Sequence, residues 1–103
     1  MYAVIFEVEF EPGAREEYLR LAGELREHLA GFEGFVSVER FTSLSTPGKV
    51  LSLSLWEDEA AIARWRDFAA HEAAQSRGRD ALFSRYRIRV ASVVRDYGSD
   101  TDR

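Results

Sequence analysis

Residues 49–79, KVLSLSLWEDEAAIARWRDFAAHEAAQSRGR, decide the fold because their hydrophobic period changes in mid-course. From Lys49 to Trp56 the residues alternate with the two-residue period of a strand. The acidic corner Glu57-Asp58-Glu59 follows, with Asp58 placed to cap a helix whose first turn suits Glu59. Ile62, Trp65 and Ala69 then recur at spacings that bury one side of that helix. The pattern continues less regularly through His71 and Gln75 until Gly78 ends or bends it. Both tryptophans and one of the two histidines lie here, so a pocket with chemistry in it is expected around this segment.

Working outward, Tyr2 to Phe10 alternates strictly, with Tyr2, Val4, Phe6, Val8 and Phe10 on one face and Ala3, Ile5, Glu7 and Glu9 on the other. Glu11-Pro12-Gly13 breaks this strand, and Ala14 to Ala30 reads as a helix with Tyr18, Leu21, Ala22, Leu25 and Leu29 in one stripe. Glu16 with Arg20, and Arg20 with Glu24, form an ion-paired solvent face, while His28 near the helix end suits the dipole as a structural or surface residue. Gly31 and Gly34 close the helix, Phe35 to Leu44 makes a second strand, and Ser45-Thr46-Pro47-Gly48 turns it back onto Lys49 to Trp56 as a hairpin. A short turn around Asp80 to Phe83 leads to a last strand, Arg85 to Asp96. Residues 1–97 form one domain, and residues 98–103, GSDTDR, are expected to be a flexible tail.

A chain of 103 residues has room for a single core. Its net charge of -4 argues against a nucleic-acid partner, which would need concentrated positive charge. It has no cysteine, which excludes disulfides and thiolate chemistry, and no asparagine. Lys49 is the single lysine against thirteen arginines, so Schiff-base chemistry would rest on one strand-start residue. No long apolar run or leader pattern directs the chain to a membrane, and a cytoplasmic location is expected.

Strand, helix, strand, strand, helix, strand gives an α+β class and a ferredoxin-like βαββαβ fold, with both helices on one face of an antiparallel sheet. First and last strands are then neighbours. Glu11 is expected to face Arg85, Glu9 to face Arg87 and Glu7 to face Arg89, opposite charges meeting across the ladder. Ala3, Ile5, Ala91 and Val93 share that uncovered face, which calls for another layer; a second copy packed sheet against sheet would supply it.

On VIFEVEF followed by PGAREEYL, on GFVSVERF, LSLSLWEDEAAIARW, HEAAQSRGR and YRIRVASVVRDY, the chain resembles the antibiotic biosynthesis monooxygenase domain family of the dimeric α+β barrel superfamily, over nearly all of residues 2–97. The resemblance implies a ferredoxin-like protomer, a homodimer formed through the sheets, and a pocket between helices and sheet. It also implies oxygenation of polycyclic aromatic quinols or anthrones with neither metal nor flavin, hence no cofactor. A haem-degrading relative uses an asparagine on the first strand, a helix tryptophan and a later axial histidine. Trp65 matches the tryptophan, but Phe6 stands at the asparagine position and Gln75 at the histidine position, with His71 one turn earlier.

Cofactor-free oxygenation needs a base, an apolar cavity and a few polar groups. His71 is the expected base because imidazole titrates near neutrality, and Gln75, four residues on, shares its helical face and would hydrogen-bond a substrate oxygen. Arg79 extends the stripe if the helix persists past Gly78. Phe6, Trp56, Trp65 and Tyr86 are the candidate walls; Trp56 and Trp65 read first as core packing, and Phe6 and Tyr86 are also expected on the sheet of a purely structural protein. Three readings stay open: a monooxygenase of a small aromatic or polyketide-type molecule, a non-catalytic dimeric binder of a hydrophobic ligand, and a haem protein.

Overall fold

The alternation of Tyr2–Phe10 produces β1, a central strand that pairs antiparallel with β3 (Val50–Trp56) on one side and β4 (Phe83–Ser92) on the other. The computed structural model describes residues 1–74 and 83–100. With α1 (Arg15–Leu29), β2 (Phe35–Thr42) and α2 (Glu59–Ala74), the chain order is β1-α1-β2-β3-α2-β4 and the sheet order β2-β3-β1-β4. This is the ferredoxin-like α+β arrangement expected from the sequence.

Local chemistry sets the element ends. Asp58 caps α2, its Oδ1 accepting from the Ala61 N–H at 2.8 Å. Between β2 and β3, Ser43 Oγ accepts from the N–H groups of Ser45 and Thr46, and Gly48 takes a positive φ, 84°. Gly34 is needed twice over: its φ is 89°, and a Cβ there would collide with the Ala61 side chain.

The helix-facing side of the sheet carries two packed groups. Ala14, Tyr18 and Ala22 of the α1 side gather Phe6, Phe10 and Phe83, while Leu29, Trp56, Ala61 and Ile62 gather Tyr2, Val4, Phe32, Phe35 and Trp65. β1 feeds both, so its apolar face ties the protomer together. His28 joins the helices, its ring 5.0 Å from that of Phe68.

Several expectations need correction. β4 begins at Phe83 rather than Arg85, because the Phe83 ring packs against Phe6, Phe10 and Tyr18 and draws its backbone into the sheet. It ends at Ser92 rather than Asp96, because β1 has run out: Tyr2 pairs with Ser92, and the last rung is Val93 N–H to Met1 O at 3.0 Å. β2 stops at Thr42, opposite Val50, where the Ser43 turn takes over. The β1–β4 register also differs by two residues. Glu9 faces Arg85, Glu7 faces Arg87, and Ile5 stands opposite Arg89, with a shift in register between Glu9 and Phe10. The same residues share the face, but Glu11 lies outside the ladder. On α1, Arg20 pairs with Glu24 as expected but takes Glu17, not Glu16, as its second partner. Among the described residues no helix is long and apolar enough to cross a membrane.

Candidate functional site

The register defines which side chains meet under the helices. Val4, Phe6 and Val8 of β1 stand beside Ser54, Ser52 and Val50 of β3, and beside Val90, Ile88 and Tyr86 of β4. Large residues thus flank two serines near the middle of the sheet.

The sequence-derived candidates fall into two neighbouring sets. Phe6 and Tyr86 are brought together, ring centroids 6.1 Å apart, with Phe83 5.6 Å from Phe6 and 5.8 Å from Tyr86. Trp56 and Trp65 form the second set at 6.3 Å, and Trp65 continues to Phe32 at 5.2 Å and Phe68 at 5.4 Å. Trp56 is a packed anchor, 2% exposed, its indole N–H donating to Ser54 Oγ at 2.9 Å. Trp65, half-buried, is the more accessible of the pair. His71 lies in the last turn of α2 and is exposed. Gln75 and Arg79 lie outside the described residues.

The helices cover the centre of the sheet better than its β4 side. Tyr86, Ile88 and Val90 are 46%, 45% and 48% exposed, although they face the same way as Phe6 and Val4. An apolar shelf therefore runs along β4, floored by aromatic rings.

Two polar residues on this side of the sheet escaped the sequence reading. Ser52 is 9% exposed, and its hydroxyl has no hydrogen-bond partner among the described residues, while no buried side-chain nitrogen or oxygen there lacks one. Its oxygen is therefore not fully sealed, although the residue as a whole is buried. On the other side of Ser52, its β2 neighbour is Arg40, whose Nε donates to the Tyr18 hydroxyl at 3.5 Å. A serine in an alternating strand carries no signal of its own; only knowing that Phe6 and Arg40 flank it marks the position. Among the described residues no three His, Asp or Glu side chains are grouped to hold a metal ion.

The opposite face of the sheet is ionic at one end. Glu7 receives Lys49 Nζ at 2.8 Å and Arg89 Nη1 at 3.3 Å. The hydrogen bond from Lys49 foremost, then the Lys49 charge, hold the Glu7 carboxyl below the ordinary carboxylate range; desolvation opposes them, and the charges of Arg89 and Arg87 add smaller lowering effects. Beyond this cluster the face turns apolar: Ile5 stands opposite Leu53, Ala3 opposite Leu55, and Leu51 opposite Phe41.

Residues 1–77 match the family described as antibiotic biosynthesis monooxygenase. A jasmonate monooxygenase of Pyricularia oryzae is 46% identical over 94 residues, 91% of this chain, which spans 44% of that longer protein. Among solved structures, SnoaB of Streptomyces nogalater, a cofactor-independent oxygenase, superposes with a TM-score of 0.72 at 16% identity, covering 92% of this chain and 94% of its own. The haem degrader MhuD of Mycobacterium tuberculosis superposes equally well, at 0.72 and 17% identity over 95% and 100% of the two chains. At these identities the two structures support the shared fold alone. The family match over most of the chain and the close fungal relative show that the chain belongs to the antibiotic biosynthesis monooxygenase family.

Proposed function

We propose that this protein is a cofactor-independent monooxygenase that oxidises a small hydrophobic molecule, of quinol or anthrone type, seated on the helix side of its sheet. The observation that supports this most is the incompletely sealed Ser52 hydroxyl directly beside Phe6, next to the uncovered aromatic shelf of β4. Phe6, Trp65 and Tyr86 would contact a flat ring, with Trp56 holding Trp65 from behind, and Ser52 would hydrogen-bond a ring oxygen. His71 is the base in this reading, while Gln75 and Arg79 stay candidates by their sequence positions alone.

The chemistry balances without a resident redox group when the substrate has an activated CH₂. Deprotonation gives a carbanion that transfers an electron to O₂, the radicals join as a peroxide, and loss of water leaves C=O. The CH₂ supplies all four electrons, and O₂ becomes one carbonyl oxygen and one water. Simple hydroxylation of an unactivated carbon, as on a jasmonate-like cyclopentanone carboxylate, would need two further electrons from a reductant. The fungal relative's name makes that molecule the second substrate to try.

A homodimer through the opposite sheet face belongs to the same reading. Ala3, Ile5, Leu51, Leu53 and Leu55 form an apolar strip there that neither helix covers.

Oxygen consumption with a panel of anthrones and hydroquinones, and with jasmonate plus and minus NADH, tests the activity. Turnover above the spontaneous rate, falling by about 10²–10⁴-fold in His71→Ala, supports it. No turnover above background with any of these would remove the enzyme and leave a hydrophobic-ligand binder.

A further inference from the structure

We propose that the groove between α1 and β2, at the sheet edge away from β4, binds a small amphipathic carboxylate through Arg40. Arg40 sits on β2 opposite Ser52 and reaches under α1, its guanidinium 6.0 Å from the Tyr18 ring centroid and its Nε donating to the Tyr18 hydroxyl. It is half-buried, and among the described residues no carboxylate pairs with it. With Nε turned to Tyr18, the remaining guanidinium donors are available to an anion.

The space beside it has the matching shape and polarity. A groove of about 430 Å³ is bounded by Arg40 and Arg26 and by the apolar Leu19, Ala22 and Val38, with Glu39 the single acid on its rim. A second hollow of about 280 Å³ shares Arg26 and Val38 and continues past Leu29 and Phe35. The two hollows adjoin along α1 at Arg26 and Val38, with Arg40 on the first. Gly23 faces it from α1, and a side chain added there would meet nothing within 4 Å. Two guanidinium groups against one carboxylate favour an anion, and the apolar floor favours a tail behind it. A medium-chain monocarboxylate satisfies both. Arg40 stands one strand from Ser52, so the groove borders the proposed oxygenation site at that residue, but its walls are residues of α1 and β2 and binding there does not depend on that reading.

Titration of decanoate into ¹⁵N-labelled protein tests the proposal. Saturable shifts are expected at the amides of Leu19, Ala22, Gly23 and Val38, with decanol binding at least about tenfold more weakly. Arg40→Gln should weaken decanoate by about tenfold or more, Arg40→Lys by less because it keeps the charge and loses the planar fork, and the exposed Arg20→Gln should bind as wild type. Thermal melts establish that each variant is folded; if Arg40→Gln is not, the decanoate–decanol ratio on the wild type decides. No saturable shift up to about 5 mM decanoate, equal binding of decanol, undiminished binding by folded Arg40→Gln, or shifts confined to Phe6, Tyr86 and Ile88 would overturn it.

Discussion

Glu7 Oε2 lies 3.3 Å from Arg89 Nη1 although the residue directly opposite Arg89 on β1 is Ile5, so the ion pair runs diagonally across the ladder. With Lys49 on its other oxygen at 2.8 Å, Glu7 ties β1 to β4 and to the residue that leads into β3. The cluster lies on the sheet face proposed to receive a second copy.

Because the folded-state carboxyl of Glu7 titrates lower than in the unfolded chain, its contribution to stability is present above the ordinary carboxylate range and is lost as pH falls through the folded value. Glu7→Gln should therefore melt lower than wild type at about pH 7, and the gap should close as pH approaches about 3. Paired thermal melts across that range check the sign; a gap that widens on acidification contradicts the assignment.

Trp56→Ala removes a 2%-exposed anchor that touches Phe32, Phe35 and Trp65. A loss of about 3–5 kcal/mol in denaturant unfolding is expected, with Trp56→Phe costing less. Near-wild-type stability of the alanine variant would show that the second packed group does not hold the helices to the sheet.

Gly34→Ala combines a positive φ with a collision against Ala61, and α2 cannot retreat without giving up the Glu57 N–H bond to Gly34 O at 2.8 Å. It should destabilise by more than about 1 kcal/mol, whereas Gly23→Ala, which meets no neighbouring atom, should be neutral or stabilising. Equal melting temperatures for the two variants would refute the close approach.

Leu53→Asp places a charge in the middle of the uncovered sheet face, opposite Ile5 and Glu39. Sedimentation should show a wild-type dimer and a folded monomeric variant, since a buried unpaired carboxylate in the interface is strongly unfavourable. A wild type that sediments as a monomer at micromolar concentration would remove the sheet-to-sheet pairing.

Element types and the Asp58 cap were legible from the chain because each depends on local signals: a two-residue period, a helical stripe, one capping oxygen. The facing sides of β1 and β4 were legible for the same reason, but their register was not. Sliding a strand by two residues leaves every side chain on its own face, so alternation cannot choose between Arg87 and Arg89 as the neighbour of Glu7. The Phe83 ring, packed among Phe6, Phe10 and Tyr18, accompanies the register that is adopted, and those contacts span the length of the chain. Of the candidate site, Phe6, Tyr86, Trp56 and Trp65 were legible as wall candidates, but the approach of Phe6 to Tyr86 depends on the register adopted, and that of Trp56 to Trp65 on packing between α2 and the sheet. That the Ser52 hydroxyl lies beside Phe6 without a hydrogen-bond partner, and that Arg40 reaches the Tyr18 hydroxyl, only the tertiary structure decided. Both are properties of what surrounds a side chain in space, which residues distant in the chain supply.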